Sequence, residues 1–192
     1  MKKKSFPGNA ILLPPAEKKC FTKFGGKPHL PEKISWPVHQ QGYELNFLAQ
    51  IHFPELAAKT KLPAEGTVFI FYDDSSSWKI IYSEEPLPES QREPAPVDIL
   101  PRIYRETFRT FKVLRSPYSH SAPRHQMLGH PFCIQNDDPV PGHTLLLQLD
   151  SDWERNGPGW IWGDAGLLYF FILPEDLKNK RFEKVKCVWQ CC

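Results

Sequence analysis

The sequence has no long hydrophobic run. Its longest, Leu167 to Leu173, ends after seven residues, whereas a membrane-spanning helix needs about 20. The apolar stretch Ala10-Ile11-Leu12-Leu13 gives way at once to Pro14-Pro15. The Lys2-Lys3-Lys4 start therefore does not read as the head of a secretory signal, whose apolar segment runs to roughly 7–15 residues. A cytoplasmic chain with no membrane partner is expected. A strong charge of one sign is also missing, because the net charge is only +2. That is too little to indicate a nucleic-acid binder. Residues 1–33 hold eight lysines against Glu17 and Glu32, a balance of +6 that leaves −4 for the rest, but no aromatic side chains interleave with Lys2-Lys3-Lys4 to stack bases. Gly-x-Ser-x-Gly, His-Glu-x-x-His and phosphate-loop motifs are absent, and with them the signatures of several hydrolase and nucleotide-dependent classes. Gly25-Gly26 is not a dinucleotide fingerprint. Cysteine is sparse and odd in number, at Cys20, Cys133, Cys187, Cys191 and Cys192. The spacing gives neither a disulfide framework nor a zinc site, so free thiols and no cofactor are expected.

What the sequence does have is proline. Twenty of its 192 residues are proline, about twice the usual share of ~5%. Proline inside a helix costs about 3 kcal/mol, which argues against a long-helix bundle. Apolar residues make up 41% and aromatics 13%, enough for one folded domain with a real core. Leu45–Phe53, Thr67–Tyr72, Thr144–Asp150 and Leu167–Leu173 read as buried strands, rich in β-branched and aromatic residues. Trp78–Tyr82 reads as the hairpin partner of Thr67–Tyr72. Ile103–Leu114 reads as one basic edge strand, Pro54 and Pro174 open short helices, and Phe182–Gln190 reads as a closing strand. Residues 84–101 hold five prolines and four glutamates and read as a loop or mobile insert. The expected fold is α+β, a β-rich single domain over 1–192 with short helices. It is made of an irregular arm (1–22), a first half (23–83), the Pro/Glu-rich loop (84–101) and a second half (102–192).

The halves echo each other. Phe24-Gly25-Gly26-Lys27-Pro28 is matched by Leu128-Gly129-His130-Pro131. Leu48-Ala49-Gln50-Ile51 is matched by Leu146-Leu147-Gln148-Leu149, and the Gly66 strand by the Gly166 strand. A glutamine inside each apolar strand needs hydrogen-bond partners, since an unpaired buried amide costs about 1–3 kcal/mol. The expectation is two pseudo-repeated sheet units.

Few residues offer chemistry. Asp150 and Asp152 share one face of a strand end, and Asp164 opens the next strand. With Gln148 or Gln135 the three carboxylates would suit a hard cation, but turn capping is the stronger reading. His125 beside Asp164 is a candidate general base. His120, His130 and His143 lie at spacings that do not assemble a transition-metal site. Trp153, Trp160 and Trp162 surround Gly157-Pro158-Gly159. Trp162 is assigned to the core, while Trp153 and Trp160 are assigned to an exposed recognition surface. Gln50, Gln135 and Gln148 complete the candidate binding residues.

The ordered words Lys23-Phe24-Gly25-Gly26-Lys27-Pro28, Trp36-Pro37, Phe47-Leu48-Ala49-Gln50-Ile51, His125-Gln126-Met127-Leu128-Gly129-His130-Pro131, Leu146-Leu147-Gln148-Leu149-Asp150, Trp162-Gly163-Asp164-Ala165-Gly166 and Trp189-Gln190-Cys191 resemble the YwqG-like family of bacterial proteins of unknown function. The resemblance implies a compact cytosolic α+β domain and supplies no reaction. Members among toxin-immunity genes imply a protein-binding role for some of the family. The reading leans against an enzyme and toward a non-enzymatic, immunity-type binder of a protein partner, with Glu84–Glu93 and the Trp153–Trp160 loop as its surface. The alternative is a small-molecule or metal-dependent hydrolase built on His125, Asp150, Asp152 and Asp164.

Overall fold

A computed structural model describes residues 10–56, 60, 62–73, 77–95, 101–114, 125–135 and 140–191. The sequence-based expectations for His120 and the first nine residues lie outside them. The chain forms two antiparallel sheets, carried by two compact units, with one five-residue α-helix, α1 (Pro174–Lys178). One unit draws on 15–109 and 154–159, the other on 1–14, 110–153 and 160–192.

In the first unit, β2 (Lys23–Phe24), β3 (Asn46–His52), β4 (Thr67–Tyr72), β5 (Trp78–Ser83) and β6 (Thr107–Phe108) form a five-stranded sheet in the order β5-β4-β3-β2-β6. β3 and β4 are buried along nearly their whole length, which explains their continuous apolar runs. The core packs Phe47, Phe69 and Phe71 with Leu30, Trp36 and Leu45. The Trp36 indole N–H donates to Leu45 O at 2.9 Å, so this ring is buried without stranding its donor.

In the second unit, β1 (Ala10–Leu12), β7 (Lys112–Leu114), β8 (Gln126–Met127), β9 (Thr144–Asp150), β10 (Leu167–Ile172) and β11 (Lys186–Gln190) form a six-stranded sheet ordered β11-β10-β9-β8-β1-β7. Leu145, Leu167, Tyr169 and Phe171 make its core with Val140.

Three expectations are corrected. Ile103–Leu114 is not one strand: β6 and β7 are separate and belong to different sheets. Phe182–Gln190 begins with a 3-10 turn at Phe182–Lys184, and the strand starts only at Lys186. The Pro54 helix is a single 3-10 turn, Phe53–Glu55.

The described part of the Pro/Glu-rich segment is tied down. Arg92 N–H donates to Pro28 O at 2.8 Å, and the Arg92 guanidinium reaches Pro31 O and Ile34 O. The Ala95 N–H donates to Glu44 Oε1 at 3.0 Å. Lys27 pairs with Glu93 and Lys33 with Glu85. Two of the four glutamates proposed as an acidic contact surface thus meet lysines of the basic segment 1–33.

Candidate functional site

In the 10–14, 110–153 and 160–192 unit, the candidate residues gather where β8 meets the end of β9. His125 immediately precedes β8. The Asp150 N–H donates to His125 Nδ1 at 3.3 Å, so Nε2 carries the proton and donates to Asp152 Oδ2 at 3.0 Å. His125 and Asp152 are both buried, as a carboxylate away from water requires a donor. Trp160 sets its ring edge-on to His125, with centroids 5.9 Å apart. Its indole N–H donates to Asp150 O at 2.8 Å. Trp162 packs on Trp160 at 5.2 Å. The Ser151 hydroxyl donates to Gly166 O (2.8 Å) and accepts from the Trp162 N–H (2.9 Å).

Both His125 ring nitrogens are engaged: Nδ1, the ring nitrogen with a lone pair in this tautomer, faces the Asp150 N–H, and the Nε2 proton faces Asp152. Asp164, expected beside His125, is exposed in the turn between Trp162 and β10. Among the described residues no three His, Cys, Asp or Glu side chains come together as a metal site, so Asp150, Asp152 and Asp164 do not form the carboxylate cluster considered above. Trp162 is buried as expected. Trp160 is not an exposed platform: at 1% exposure it is one of the largest fully buried side chains. The correction has a simple cause. Asp152 and Trp160 pair as an antiparallel bridge, which turns both side chains to the inner side and leaves Trp153 and Ile161 on the outer one.

Gln148 is fully buried on β9 and accepts the Phe132 N–H at 2.8 Å. Opposite it on β8, the Gln126 amide donates to His130 O at 2.8 Å. Gln135 N–H donates to Gln190 Oε1 at 3.2 Å, and its amide donates to Cys191 O. Burial pushes the Cys187 thiol up to about 12, so it stays protonated and inert at neutral pH.

The 15–109 and 154–159 unit has a buried glutamine of its own. Gln50 on β3 accepts the His29 N–H at 2.8 Å and donates to Phe21 O at 2.9 Å. Lys23 stands opposite it on β2. Its ammonium donates to Lys27 O (2.5 Å) and Glu106 Oε1 (2.6 Å) while being 0% exposed. Burial holds Lys23 below its ordinary value, and Glu106 pulls it part of the way back. Sequence reasoning missed this pair because Lys23 and Glu106 are far apart in the chain. Phe21 lies edge-on to His29 (5.4 Å) and to His52 (5.3 Å). Burial lowers His52 against the opposing pull of Glu55. Cys20 is raised by burial first and by Glu55 second.

Residues 22–191 match the family described as Domain of unknown function (DUF1963). The chain belongs to this family. The match takes in every element from β2 to β11, including both glutamine-centred turns and the His125–Asp152 network. No curated protein matches the chain. No helix among the described residues is long and apolar enough to cross a membrane.

Proposed function

We propose that the chain is a non-enzymatic, YwqG-like binding protein whose ligand is another protein, in its most specific form an immunity-type partner that neutralises a toxin. The observation that carries this reading is the exposed apolar surface of the unit built on β11-β10-β9-β8-β1-β7. Trp153 is 58% exposed, Ile161 54% and Trp189 46%. Large rings rarely stand in water without reason, and tryptophan anchors dominate protein interfaces. In the same unit His125 and Asp152 bond each other, Trp160 packs edge-on against His125, and Ser151 bonds Gly166 and Trp162, a buried network suited to supporting a surface. The experiment is capture from the native host with the wild-type chain and with Trp153→Ser/Ile161→Ser. A specific protein held by the wild type and lost by the double variant is expected. Equal capture by both, or none by either, overturns the reading.

We also propose that the two units repeat one structural plan. Supporting it, Gln50 and Gln148 each accept the N–H that follows Pro28 or Pro131. The β3–β4 and β9–β10 pairings each skip one residue, Leu48 and Leu146, two places before the glutamine. In this plan β1 stands beside β8 as β6 stands beside β2, so the second unit takes one strand from the start of the chain.

A further inference from the structure

The sequence contains a single Asn-Gly pair, Asn156-Gly157, and neither the fold nor the proposed binding role uses it. Asn-Gly is the dipeptide most prone to spontaneous deamidation, because glycine has no side chain to hinder attack by its own backbone nitrogen. Here Asn156 is exposed, so water reaches its side-chain amide, while Gly157 is buried. The Gly157 N–H, the group that must lose its proton and attack, donates to Glu154 O at 3.0 Å and closes a turn. Arg105 holds that turn. Its Nη1 lies 3.1 Å from Glu154 O, 2.8 Å from Arg155 O and 2.9 Å from Gly157 O. Its own backbone N–H donates to Pro158 O at 2.9 Å. One guanidinium thus fixes the carbonyls on both sides of Asn156.

We infer that Asn156 is a modification site, a latent deamidation centre that Arg105 holds in check. In the reaction, water or hydroxide takes the Gly157 amide proton and the nitrogen attacks Asn156 Cγ. A C–N bond closes the succinimide ring, and the side-chain nitrogen leaves as ammonia. Water then opens the imide at one of its two carbonyls, leaving aspartate or isoaspartate at position 156. Only water is consumed and no electrons are exchanged. The first step needs the Gly157 nitrogen to swing out of its bond to Glu154 O and toward Cγ, which the Arg105 clamp opposes. Once formed, the product adds a negative charge to a segment in which Glu154 and Arg155 otherwise balance. The isoaspartate form also inserts a backbone carbon into the turn and misplaces the carbonyls that Arg105 reads.

The test is incubation of the full-length folded chain at mildly alkaline pH, followed by mass spectrometry of the peptide containing Asn156. Wild type is compared with Arg105→Ala, and both with the same chains held in urea. Deamidation several-fold slower in folded wild type than in unfolded wild type is expected, with Arg105→Ala recovering most of that gap while its circular dichroism stays native. Arg105→Lys, which keeps the charge on a shorter and more flexible side chain, is expected to fall between them. Equal rates in folded and unfolded wild type overturn the inference. So does a folded Arg105→Ala that deamidates at the wild-type rate. Should Arg105→Ala fail to fold, the folded-to-unfolded comparison and Arg105→Lys still decide.

Discussion

At the scale of single residues, Lys23 is the most informative side chain. An ammonium with no exposure is stable only because Glu106 and the Lys27 carbonyl replace water. Under the proposed repeat, the position corresponding to Lys23 in the other sheet is Gln126, which bonds the carbonyl four residues on, as Lys23 does. Lys23→Gln is therefore expected to stay within about 1 kcal/mol of wild type. Lys23→Leu, which leaves the Lys27 carbonyl without this donor and Glu106 Oε1 with Gln91 alone, is expected to cost about 1–3 kcal/mol. Urea denaturation of the two variants distinguishes these outcomes, and equal losses would contradict the shared plan. His52 supplies a pH signature. Its folded value lies below its ordinary 6.5, so the unfolded chain takes up the proton first. Its contribution is fully present above the ordinary value and is lost as pH falls from there through the lower folded value. The melting temperature of wild type should drop across that window more steeply than that of His52→Gln, and parallel curves would show that His52 is not the cause.

Elements are fixed by a few positions where the backbone leaves ordinary conformations. The turn after β2 places Gly25 at φ +62°, and a Cβ there would sit 2.2 Å from Arg105 O. Strain and a backbone clash act together, with no flexible side chain to yield. Gly42 has φ +90° but open space around it. Gly25→Ala should lower stability by more than about 1 kcal/mol beyond the loss from Gly42→Ala, measured by thermal denaturation of both. The turn after β8 places Leu128 in the same left-handed region, at φ 55°, and Gly129 follows it at φ 68°. β2 and β8 are only two residues long, and the sequence pattern marks neither as a strand. A strand of that length has no measurable alternation of its own and exists because longer neighbours pair with it.

For the whole molecule, the decisive feature is that chain order and sheet order diverge. β1, from the start of the sequence, lies between β8 and β7 and pairs with both, Ile11 standing opposite Met127 and Val113. Ile11 is fully buried, and truncating such a side chain costs about 2–5 kcal/mol. Ile11→Ala is expected to lose hydrogen-exchange protection in 112–114 and 126–127 before 67–72 loses any. Uniform loss, or none, would show that the N-terminal strand does not hold that sheet together.

The sequence by itself determined β3, β4, β9 and β10, the β4–β5 hairpin and the place of the two glutamines. In each case the information is local: a run of apolar residues fixes a buried strand, and a short turn fixes its antiparallel neighbour. Tertiary structure alone decided the sheet each short strand joins, the burial of Trp160 and Lys23, and the engagement of His125 by Asp152 instead of Asp164. Those outcomes depend on partners 8 to 83 residues away in the chain. A side chain's burial and charge state follow from what packs against it, and that is written in no single segment.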